Sequence, residues 1–172
     1  MALAPQLTGN STAGFVQGKC YVQAQLQQAT AATGSAAYVV PYWVTGGTVV
    51  GVYASELVTA SSDRTDTITV AKRAQNAASS ADTALLTTSG VISSNNVSGT
   101  ITRAIGSTGI TAFTTSVNPV LTTTAASLAV VGGDTILISN TAAGSNGSAG
   151  TVLSVVVVIE VYVGDTANRF SY

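Results

Sequence analysis

The sequence predicts an all-β protein: an antiparallel β-sandwich or jelly-roll-like domain behind an extended N-terminal arm. Two observations lead there. Short apolar runs rich in Val, Ile, Tyr and Thr recur along the 172 residues, separated by clusters of Gly, Ser and Asn. The last run, TVLSVVVVIEVYV at 151–163, is long enough to form the central strand of a sheet. The length is that of one ordinary domain with a real core.

The first 35 residues carry few large apolar groups and many Gln, Ala and Thr, so 1–35 is assigned to an extended arm, ordered only by a partner or partly disordered, although CYVQAQL (20–26) is strand-like. The sandwich domain is expected over 36–165. Its strands are predicted at 36–44 (AAYVVPYWV), 48–53 (TVVGVY), 65–71 (TDTITVA), 97–102 (VSGTIT), 127–131 (SLAVV) and 134–139 (DTILIS). Turns fall at Thr45-Gly46-Gly47, Ser61-Ser62-Asp63, Ser93 to Asn96, Gly132-Gly133 and Ala142 to Gly150. Gly133-Asp134 precedes a strand, where an Asp side chain caps nearby backbone amides. Residues 71–86, AKRAQNAASSADTALL, admit two readings: a short helix, or a long loop flanking a strand at Thr83–Thr88.

The run at 151–163 is not a membrane anchor. As a helix it would span about 20 Å against a hydrocarbon core of roughly 30 Å, and Ser154 and Glu160 interrupt it. As a strand it would extend about 40 Å at roughly 3.3 Å per residue. One face would carry Leu153, Val155, Val157, Ile159, Val161 and Val163, and the other Val152, Ser154, Val156, Val158, Glu160 and Tyr162. Burying the first face contributes at most on the order of 10–15 kcal/mol. A core strand with a partly covered second face is expected.

Charge narrows the function. Asp, Glu, Lys and Arg make up 8% of residues, against roughly 25% in an ordinary soluble domain. The surface must therefore be coated with Thr, Ser, Asn, Gln and Gly, which lack the repulsion that keeps copies apart. That favours life in an assembly. The net charge of −1 and the scattering of Lys19, Arg64, Lys72, Arg73, Arg103 and Arg169 argue against nucleic acid as a partner. A lone Cys20 forms no intrachain disulfide, and MALAPQLTGNST has neither the basic nor the apolar region of a secretory signal. The sequons at Asn10, Asn96 and Asn146 are matches that a Ser/Thr-rich chain produces by chance.

The sequence offers little catalytic chemistry. It has no His, hence no Ser-His-Asp or Cys-His arrangement. One Cys builds no zinc site, and no Gly-rich stretch has the phosphate-binding spacing with its Lys. Asp63 and Asp66 in SDRTD lack the EF-hand pattern and, beside Arg64, are read as a solvated turn. Glu160 is placed on the outer face of its sheet or at an interface. No catalytic residue, metal ligand or cofactor is assigned.

The aromatic residues are the candidates for contact. Tyr42 and Trp43 follow Pro41, Tyr53 is nearby in sequence, and Phe170 and Tyr172 lie in the C-terminal tail, 166–172. Aromatic side chains anchor interfaces because they bury much area with few rotors. A core position on a strand would account equally for Trp43 and its neighbours.

The succession TDTITVAK (65–72), TALLTT (83–88), SGTIT (98–102), ASLAVVGGDTILIS (126–139) and VLSVVVVIEVYV (152–163) resembles small β-sandwich structural proteins of tailed bacteriophages, over roughly residues 48–163. Two departures stand out: the turn reads GGDT where Arg or another polar residue often follows the Asp, and the N-terminal stretch of about 45 residues has no counterpart. The resemblance implies a non-enzymatic virion protein on the head surface. It would be a capsid decoration or cement protein that clamps the major capsid protein as a homo-oligomer, a trimer or dimer, with no membrane partner. The rival readings are a tail or fibre component for host attachment and a cell-surface adhesin-like module.

Overall fold

Alternation of apolar residues shapes the strands, and all but two of those described pair into two stacked sheets; the two-stranded ladder of Leu86–Thr88 with Val120–Leu121 stands apart. The computed structural model describes residues 18–28, 33–58, 64–93, 101–112, 115–144 and 152–163. Among them lie β1 (Gly18–Gln28), β2 (Gly34–Val39), β3 (Gly47–Val58), β4 (Thr65–Arg73), β5 (Thr83–Ala84), β6 (Leu86–Thr88), β7 (Gly90–Ser93), β8 (Ile101–Gly106), β9 (Val120–Leu121), β10 (Ala129–Val130), β11 (Thr135–Ala143) and β12 (Val152–Val163). One helical turn, α1 (Ala125–Leu128), precedes β10, and a 3-10 turn occupies Ser79–Ala81.

The first sheet runs β1-β12-β3, with β8 and β10 sharing the far edge of β3. The second runs β2-β11-β4, with β7 and β5 sharing the far edge of β4. Every pairing is antiparallel. The eight main strands thus lie as β1-β12-β3-β8 over β2-β11-β4-β7, with β1 against β2 and β7 against β8 at the two edges. The chain changes sheet at nearly every connection. That is the jelly-roll arrangement.

Between the sheets sits an aliphatic core. Leu153, Val155, Val157, Ile159 and Val161 of β12 are buried, and the second sheet answers with Ile68, Val70, Ile136 and Ile138. The expected inner face of β12 is therefore the inner face. Strand β3 breaks simple alternation: Val158 pairs with Gly51 but Ile159 pairs with Val49, so Val50 is an extra, bulged residue. The bulge turns both Val49 and Val52 inward.

Several boundaries differ from expectation. Gly18–Gln28 lies inside the stretch assigned to an arm, yet it is an edge strand of the first sheet. Ala24 and Leu26 on its inner face are buried, which ties it to the core; residues 1–17 and the tail 166–172 lie outside the described residues. The strand predicted over 36–44 stops at Val39, because Pro41 has no N–H to pair. The 71–86 stretch is the end of β4, a loop with a single 3-10 turn, then β5 and the start of β6: the loop reading holds rather than the helix, with the strand expected at Thr83–Thr88 broken in two. The predicted 127–131 strand shrinks to β10 behind α1, and β7 had no counterpart among the predicted strands.

Two buried valines, Val40 and Val44, pin the loop between β2 and β3, and the β10–β11 turn packs directly against it. Gly132 N–H donates to the Val44 carbonyl (2.8 Å), Gly133 N–H to the Val40 carbonyl (2.9 Å), and Val40 N–H to the Asp134 carbonyl (2.8 Å). The Asp134 carboxylate accepts from the amides of Val131 (3.0 Å) and Gln75 (3.3 Å), the capping role its position suggested. A methyl group on Gly132 would meet Tyr42 Cα and O at 2.8 Å and the Pro41 carbonyl at 2.9 Å, all backbone. Gly132→Ala is expected to destabilise the protein by about 1–3 kcal/mol through forced backbone movement. Urea unfolding measures it, and an unchanged midpoint would contradict this packing.

Candidate functional site: an aromatic end and a buried charge cluster

The strand directions give the sandwich two unlike ends. One collects the end of β2, the start of β3 and the start of β11, and it carries exposed aromatic groups. Val44 N–H donates to the Pro41 carbonyl at 2.9 Å, closing a turn with Tyr42 and Trp43 at its tip. Tyr42 is 71% exposed and Trp43 53%. A methyl group on Gly133, whose φ is +93°, would lie 3.0 Å from the Tyr42 ring and 2.9 Å from Gln75, so the ring rests close over this turn. Val39 and Val131 are also exposed at this end.

The predicted contact residues do not all meet here. Tyr53 lies on the outer face of the first sheet, half-buried, with its ring close to Gly51 and Gly106 and its hydroxyl 3.0 Å from Thr108 Oγ1. That face also exposes Tyr21, Val50, Leu57 and Val152. The Tyr21 hydroxyl donates to Glu160 Oε2 at 3.3 Å, so Glu160 stands on the outer face, one of its expected places. Phe170 and Tyr172 lie outside the described residues.

At the opposite end the interior changes from aliphatic to charged. Glu56 on β3, Arg103 on β8, Arg64 and Asp66 at the start of β4, and Asn140 on β11 are all buried between the sheets. Arg64 grips Asp66 through Nη2 to Oδ1 and Nε to Oδ2, both at 2.5 Å. Asn140 Nδ2 donates to Asp66 Oδ1 at 2.5 Å and to Gln28 Oε1 at 3.1 Å. Arg103 Nη1 donates to the Ser93 carbonyl at 2.8 Å. Glu56 has no hydrogen-bond acceptor role filled: neither of its oxygens meets a donor among the described residues. Burial, and next the Asp66 charge, push its carboxyl up to about 7, while Arg64 and Arg103 pull the other way.

This cluster corrects the reading of SDRTD as a solvated turn, for Arg64 and Asp66 are interior. The missed signal was parity: Asp66 shares a face with Ile68 and Val70, and Arg103 with Ile105, all five buried. Among the described residues no three His, Cys, Asp or Glu side chains gather to hold a metal ion, and no helix is long and apolar enough to cross a membrane. Arg64→Met is expected to cost about 3–5 kcal/mol, because it strands a buried carboxylate. Denaturant unfolding at neutral pH checks this, and a loss below about 1 kcal/mol would show that the pair is not desolvated.

No family model matches the chain, and no curated protein matches it. Among solved structures it is similar to that of Desmodium yellow mottle tymovirus, at 13% identity and a TM-score of 0.34, covering 91% of this chain and 92% of that one. It is also similar to Turnip yellow mosaic virus (12% identity, TM-score 0.33, 88% of this chain and 99% of that one) and to nora virus (12% identity, TM-score 0.33, 92% and 66%).

Proposed function

We propose that this chain is a non-enzymatic structural protein of a virus particle. In finer terms it acts as a decoration or cement protein on the head of a tailed phage, a homo-oligomer laid across subunits of the major capsid protein. The observation that carries the reading is the exterior. Five of the charged side chains, Glu56, Arg64, Asp66, Arg103 and Asp134, are buried, so a chain already poor in charge presents still less of it. Four others, Lys72, Arg73, Asp82 and Glu160, are tied down. Lys72 Nζ donates to the carbonyls of Ala126 and Ala129, Arg73 pairs with Asp82 (2.6 Å), and Glu160 accepts from Tyr21.

A surface of hydroxyl and amide groups repels its own copies weakly and is covered at little desolvation cost. The jelly-roll order supports the viral form of the reading, since this architecture serves viral capsid, lectin and cupin domains. Tyr42 and Trp43 supply the anchor: large, rigid side chains on a turn held by buried neighbours. Each contact is weak, and many copies acting together make attachment firm.

Replacing both anchors, Tyr42→Ser with Trp43→Ser, tests this. Light scattering of purified protein is expected to find the wild type oligomeric and the double variant monomeric. Stability should shift by no more than about 1 kcal/mol, because both side chains are largely exposed. A wild type that stays monomeric at high concentration, or a variant that associates equally well, would overturn the reading.

A further inference from the structure

We propose that Glu56 and Asp66 hold one proton between them, and that this shared proton is a catch fastening the two sheets at the charged end of the sandwich. Glu56 belongs to the first sheet and Asp66 to the second, so a hydrogen bond between their carboxyls crosses the interior. The inference is independent of the assembly reading.

The groups around Glu56 dictate where the proton sits. From β4, Asp66 faces it; from the residue before β4, Arg64; from β8, Arg103; Asn140 of β11 is buried in the same cluster and donates to Asp66. On β12 its register partner is Leu153, which is apolar, and at the end of β7 the Ser93 carbonyl accepts from Arg103. Asp66 accepts hydrogen bonds from Arg64 and Asn140. Neither oxygen of Glu56 meets a donor among the described residues. An ionised Glu56 would be a buried carboxylate without hydrogen bonds beside a second negative charge. A protonated Glu56 needs one acceptor, and Asp66 supplies it. Burial of its site and the neighbouring Asp66 charge both favour the neutral acid. When the catch opens, the proton leaves to water and two carboxylates remain facing each other across the sheets.

The sign of the pH effect follows. The Glu56 carboxyl is raised from 4.5 to about 7 in the folded protein. Its contribution to stability is complete below the unfolded value and is lost as pH rises through about 7. The sequence makes this readable, because the chain contains no histidine, so no other side chain ordinarily changes charge between about pH 5 and 8.

The experiment is a carbon-13 carboxyl NMR titration of the full chain labelled at glutamate. The sequence contains two glutamates, Glu56 and Glu160, and hence two signals. One is expected to titrate near neutral pH and the other in the ordinary glutamate range; Glu160→Gln assigns them without touching the cluster. Both signals titrating below about pH 5.5 would overturn the proposal. In parallel, the thermal midpoint of the wild type should fall from pH 5 to 8 and that of Glu56→Gln should stay level. A wild-type profile that is flat or rises, or a Glu56→Gln profile that keeps the wild-type slope, would equally overturn it. If Glu56→Gln does not fold, the wild-type titration decides alone.

Discussion

Strand β12 sets the terms for the rest of the molecule. Its inner face, from Leu153 to Val161, is fully apolar and fully buried, and its backbone is paired on both sides, by β1 and by β3. A strand like this is stable only with a neighbour on each edge and a second sheet beneath it. The chain meets all three demands with segments drawn from its whole length, β1 and β3 beside the strand and β2, β11 and β4 beneath it. The non-local pairing is a direct consequence: Gly18 meets Val163. Folding dominated by such contacts is expected to be slow for the chain's size.

The hydrophobic layer does not reach both ends, and the division of labour follows from that. At the aromatic end it closes with Val40, Val44 and Val130, which lets the Pro41–Val44 turn hold two aromatic side chains in water without loosening the core. At the other end the layer gives way to Glu56, Arg64, Asp66, Arg103 and Asn140. Buried ion pairs add little net stability over apolar residues of the same shape, but they tolerate few alternative arrangements. The charged end ties side chains of the two sheets to one another, while the apolar middle supplies most of the free energy. Withdrawing charge into the interior also leaves the exterior nearly neutral, so the same residues link the sheets and set the surface chemistry.

Much of the architecture was legible because it rests on period-two alternation, which a single strand displays by itself. The β12 face assignment, the all-β class and the Asp134 cap all needed only local pattern. What escaped depends on partners distant in sequence. The Val50 bulge is set by pairing with β12, so the alternation in TVVGVY gave no warning of it. Tyr42 and Trp43 continue an apolar run, and only the Pro41 break takes them out of the sheet. For Asp66 the parity with Ile68 and Val70 was a local clue, but its partner Asn140 lies 74 residues beyond it. Tyr53 was grouped with Tyr42 by proximity in sequence, whereas the β3 strand carries it to a different face.

The central claim is that this chain lives as one of many copies on a protein shell. Its most direct test is the number of copies per particle, measured by quantitative mass spectrometry of purified virus particles against their major capsid protein. The account predicts a number comparable to that of the capsid protein. A handful of copies per particle, or none, would contradict it.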